Sequence, residues 1–61
     1  MDTKELIGKT VNEVRLLAND EGLNTRIVKI DGNSLIVTSD FRVDRLNLEV
    51  EKGLVVNIYN G

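Results

Sequence analysis

The sequence predicts an α+β domain, with one helix packed on a small mixed sheet of about three strands and a long loop between the first strand and the second. Three patterns support this. Apolar residues recur at helical spacing over Val11, Val14, Leu17 and Ala18. They alternate with polar ones over Leu46, Leu48 and Val50. Runs rich in β-branched residues at 25–30 and 54–59 supply the other strands. With 61 residues, the chain (1–61) holds a single domain.

Residues 1–8 are a polar lead-in, in which Leu6 and Ile7 are placed to pack beneath the helix. Thr10 and Glu13 fit a capping box: the Thr10 hydroxyl accepts from the Glu13 N–H, and the Glu13 carboxylate accepts from the Thr10 N–H. The helix is expected over 11–21, with Gly22 placed for a left-handed cap. A strand follows over 25–30, and Asp31-Gly32-Asn33-Ser34 is turn chemistry. In the next strand, from Arg45, the alternation puts Leu46, Leu48 and Val50 on a dry face and Asn47, Glu49 and Glu51 on a wet one. Glu51-Lys52-Gly53 reverses the chain into the last strand, so the hairpin over 45–59 is antiparallel. The connection over 31–44 is long for so small a domain, and long ordered loops are often functional.

Composition removes whole classes of function. The chain has no Cys and no His, so zinc, haem and iron–sulfur centres lack their usual ligands. Ser–His–Asp and Cys–His nucleophiles are excluded for the same reason, and the chain is expected not to be an enzyme and to need no metal or cofactor. Glu49 and Glu51 read as a solvated strand face rather than an acid–base pair. Asp31-Gly32-Asn33 lacks the spaced acidic set of a calcium loop. The net charge is −2 with both signs interspersed, so no nucleic acid is expected as a partner. No apolar run exceeds three residues, which predicts no membrane span. No signal peptide is visible, and a cytoplasmic location is the expectation.

Two stretches resemble a known family. Leu6-Ile7-Gly8-Lys9-Thr10-Val11-Asn12-Glu13-Val14 is similar to the helix start of the potato inhibitor I family of serine-protease inhibitors. Ile36-Val37-Thr38-Ser39-Asp40-Phe41-Arg42-Val43-Asp44-Arg45 is similar to that family's binding loop and its return into the sheet. Asp40-Phe41-Arg42-Val43-Asp44-Arg45-Leu46-Asn47 also matches in full the Asp-(Tyr/Phe)-Arg-x-Asp-Arg-Leu-Asn hallmark of small bacterial peptidase inhibitors. That group usually carries two Cys and is exported, whereas this chain has none and ends Asn60-Gly61.

The resemblance implies a substrate-like inhibitor of a subtilisin- or chymotrypsin-like serine protease. Its binding loop would comprise Ile36, Val37, Thr38, Ser39, Asp40, Phe41 and Arg42, with Ser39–Asp40 as the scissile bond. Arg45 would support the loop from below by holding Thr38 and Asp40 together, Asp40 being its natural partner. A second arginine expected two residues on is replaced by Asn47, which predicts a softer loop. Small, polar Ser39 fills no deep pocket.

A second reading stands beside this one. The chain would be a non-inhibitory intracellular binding protein that reuses the fold. A phage or bacterial antagonist sequestering a host protein or a small anionic signalling ligand would be an example, with Arg42, Arg45 or Lys29 on an oligomer surface. Under it Arg45 is an ordinary ion-pair partner, Thr38-Ser39-Asp40 a plain turn, and Leu35-Ile36-Val37 a strand edge or self-association surface. An inhibitor is expected to act as a monomer; a sequestering protein would be a small homo-oligomer.

Overall fold

The computed structural model describes residues 2–61. A 3-10 turn, Thr3–Leu6, precedes helix α1, Val11–Asp20. Four strands follow: β1 (Asn24–Ile30), β2 (Asn33–Ser34), β3 (Arg45–Glu51) and β4 (Leu54–Asn60). The sheet is mixed, in the order β2-β1-β3-β4, with β1 and β3 parallel and the other neighbours antiparallel. The expected sheet of about three strands thus gains a fourth. Asp31 and Gly32 adopt φ of 48° and 82°, the left-handed pair that a tight hairpin turn needs, and Asn33–Ser34 folds back along Lys29 and Ile30. The remaining irregular segment, 35–44, therefore joins β2 to β3.

The parallel pairing explains why the connection is long. β1 rises about 23 Å over its seven residues, and β3 must start beside the start of β1, with Arg45 opposite Asn24. The chain has to return that distance, and parallel neighbours need a crossover of about a dozen residues or more. Here no helix makes the crossover; the hairpin turn, β2 and residues 35–44 make it together.

Both capping-box bonds form at the start of α1: Thr10 N–H donates to Glu13 Oε1 at 3.2 Å, and Glu13 N–H to Thr10 Oγ1 at 3.3 Å. At its other end Gly22 has φ 74°, Leu23 N–H reaches Ala18 O at 2.9 Å, and Gly22 N–H reaches Asn19 O at 3.0 Å. These two bonds satisfy carbonyls that the helix leaves open. Helix residues Val14 and Ala18 pack with Leu6, Leu46, Leu48, Val50, Val55 and Ile58 in the core, with Val11, Leu23 and Ile27 at its margin. Leu17, expected on this stripe, is instead exposed, and of the lead-in pair only Leu6 is buried while Ile7 faces outward. A ten-residue helix buries a strip about one residue wide here, and Leu17 lies off it.

Residues 8–10 run beside the start of β4. Gly8 N–H donates to Val55 O and Val55 N–H to Lys9 O, both at 2.8 Å, which covers part of that sheet edge. At this same end of the strands the two hairpin turns are joined: Lys52 N–H donates to Asp31 Oδ1 at 2.7 Å.

Candidate functional site

The face of the sheet turned away from α1 presents Arg45 and Asn47, which alternate along β3 with buried Leu46 and Leu48. Arg26 of β1 stands opposite Asn47 in the parallel ladder and shares this face. Asn47 was expected to be wet. It is 2% exposed, the most deeply buried polar side chain among the described residues. Alternation assigns a residue to a face but does not say what lies over that face. Here the segment after β2 does.

Two arginines tie that segment down. Arg45 Nη2 donates to Asp40 O at 2.7 Å and to Gly61 O at 2.9 Å, while its Nη1 lies 3.5 Å from Asp40 Oδ2. Arg45 Nε is buried with no hydrogen-bond partner among the described residues, so the fork is committed through its outer nitrogens. Arg26 Nη1 donates to Thr38 O at 3.1 Å and to Thr38 Oγ1 at 3.2 Å. It also lies 3.9 Å from Asp40 Oδ1, and Arg26 Nε donates to Asn47 Oδ1 at 2.9 Å. Thr38 Oγ1 in turn donates to Asp40 Oδ1.

Arg45 therefore holds Asp40, as the sequence suggested, but among the described residues it makes no hydrogen bond to Thr38. Thr38 belongs to Arg26. Asn47 brings no cation of its own, but a second arginine is present, on the neighbouring strand at the same register position. Asn47 fixes that arginine in place of supplying its own cation. One clue was available in the sequence, since a cation missing at Asn47 invites a search for another near a strand start. The partner itself depended on a parallel register that no local pattern encodes.

Asp40 is held as a carboxylate. The Thr38 hydroxyl lowers its pKa most; the opposing cost of burial comes next, and the nearby Arg45 charge adds a lesser lowering. Farther along, the return limb is pinned by two residues the sequence did not single out. Asn60 Nδ2 donates to Val43 O at 3.0 Å and to Arg45 O at 3.1 Å. Gly61 N–H donates to Arg45 O and Gly61 O accepts from Arg42 N–H, both at 3.0 Å. Gly61 has φ 144°, and a Cβ there would meet Phe41 Cδ2 and Asn47 Nδ2 at 3.3 Å, so this close approach requires glycine.

Ile36, Val37, Thr38, Ser39, Asp40, Phe41 and Arg42 all lie in the exposed part of the chain. Thr38 and Asp40 are fastened, and Ser39 between them makes no hydrogen bond among the described residues. Arg42 pairs with Asp44 at 3.3 Å. Lys29, named in the alternative reading, lies on β1 opposite Glu49 and away from this cluster. Among the described residues no group of His, Cys, Asp and Glu could hold a metal ion. No helix there is long and apolar enough to cross a membrane. No protein-family model matches the chain, and no curated protein matches it.

Proposed function

We propose that the chain is a substrate-like inhibitor of a serine protease, presenting Ser39–Asp40 as the bond offered to the enzyme. One observation carries the reading: the residues on either side of Ser39 are tied to each other and to separate arginines on two adjacent strands, while Ser39 itself is exposed and free. A protease attacks a peptide that lies extended in its cleft. A loop already held in place loses little freedom on entering, and binds correspondingly tightly. If the bond is cut, Thr38 stays on Arg26 and Asp40 on Arg45. The new ends then remain close, so resealing competes with release. The chain needs no catalytic group, metal or cofactor for this role.

The test is a titration of the purified protein against subtilisin, with residual activity and the site of any cut read together, the latter by mass spectrometry. Stoichiometric inhibition with slow cutting at Ser39–Asp40 supports the proposal. No inhibition, or rapid digestion inside 36–42, rejects it in favour of the non-inhibitory binding protein.

A further inference from the structure

Thr38 and Asp40 spend their side chains on the support beneath them. Both residues stay exposed, but the polar atoms with which a partner would read them are already engaged. What remains outward is uneven in chemistry. Ser39 is small and polar. Ile36, the fourth residue before the bond, is fully exposed, and Phe41, the second after it, is 70% exposed with one edge of its ring against Gly61. Val37 keeps less of its surface free, and Arg42 is engaged with Asp44. Val43 is as exposed as Phe41, but its carbonyl is taken by Asn60 at the foot of the loop, in the frame rather than the presented span.

We infer that the loop is recognised at its two ends and not at its centre. This rests on the inhibitor reading above. The partner is an endoprotease with an extended cleft, an apolar pocket for Ile36, a second apolar pocket for Phe41, and a shallow site for Ser39. Extended backbone advances about 3.3 Å per residue, so the two apolar side chains stand about 17 Å apart along the cleft, with the scissile bond between them. Burial of apolar surface is non-directional and large, whereas a serine hydroxyl exchanges one water for one protein partner at little gain. Binding strength therefore resides in Ile36 and Phe41, and Ser39 serves chiefly to avoid a clash.

The experiment compares inhibition constants of the whole protein and three variants against subtilisin, with circular dichroism and urea midpoints confirming that each variant is folded. Ile36→Ala and Phe41→Ala are each expected to raise the inhibition constant about tenfold or more. Ser39→Ala is expected to change it less than about threefold. If the unsubstituted protein inhibits but neither apolar variant weakens it, or Ser39→Ala costs more than both, end recognition is wrong and the inhibitor reading survives. If the unsubstituted protein does not inhibit at all, both fall. Sedimentation at micromolar concentration adds a further outcome: a dimer that Ile36→Ala converts to monomer would make a second copy of this chain the occupant, and would overturn the proposal.

Discussion

Arg26 on β1 and Asn47 on β3 face each other across a parallel ladder, and the 2.9 Å bond from Arg26 Nε to Asn47 Oδ1 aims the rest of the guanidinium at Thr38. The sheet register thereby sets the position of a loop twelve residues away along the chain. Removing either side chain should be felt by both the sheet and the loop. Arg26→Ala leaves the Asn47 amide oxygen buried without its donor, a cost of about 1–3 kcal/mol in urea denaturation. Asn47→Ala frees Arg26 to swing away. The double variant should cost less than the sum of the two by about 0.5 kcal/mol or more. Strict additivity would show that the bond carries no weight.

The same substitution gives a kinetic readout. In Arg26→Ala, Thr38 keeps its bond to Asp40 but loses its attachment to the sheet, so cutting at Ser39–Asp40 by subtilisin should quicken by about tenfold or more. Cutting at the wild-type rate would confine Arg26 to a role in sheet stability.

The carboxylate of Asp40 links the loop to pH. Its pKa is lowered in the folded protein, first by the Thr38 hydroxyl and then by the Arg45 charge. A depressed folded-state value means that the stabilising contribution is fully present above the ordinary carboxylate value near 3.8 and is lost as pH falls through the lower folded value. Loop cleavage by an acid-active protease should accelerate below that point. Thr38→Val removes the hydroxyl and should move the Asp40 titration, followed by NMR, back toward its ordinary value. An unmoved titration would assign the shift to Arg45 instead.

Stability elsewhere rests on features distant from the loop. Thr10→Ala removes the first helix cap and should cost about 1 kcal/mol. Leu48→Ala opens a cavity at a fully buried core position and should cost about 2–5 kcal/mol. In so short a chain the second loss is expected to leave a large unfolded population at room temperature, visible as a broad, early urea transition. A sharp transition close to wild type would mean that the core repacks around the missing side chain.

Features decided within a few residues were legible in the sequence. The Thr10–Glu13 box spans one helical turn, Gly22 sits where a helix must stop, and Leu46, Leu48 and Val50 reveal their face by period. The features it concealed are non-local or too short for any period. Asn33–Ser34 is a strand of two residues, which cannot alternate detectably. The burial of Asn47 depends on what lies above the sheet. Arg26 reads as one long side chain in a β-branched run until the pairing of β1 with β3 puts it under Thr38. The clamp of Asn60 and Gly61 on the return limb closes over fifteen residues or more of chain. Arg45 and Asp40, five residues apart, are within reach of pattern and resemblance, whereas Thr38 goes to Arg26, which neither of them indicates.

The crossover has a consequence for the number of molecules involved. A cut at Ser39–Asp40 leaves α1, β1 and β2 on one piece and β3 and β4 on the other, so the whole parallel ladder between β1 and β3 then joins separate chains. Folding of the cut protein becomes a bimolecular equilibrium. It should hold at high concentration, where the pieces meet often, and come apart on dilution or in urea at a midpoint that depends on concentration. Residues 1–39 and 40–61, prepared separately and mixed, should reassemble, with the core formed only where the two halves meet.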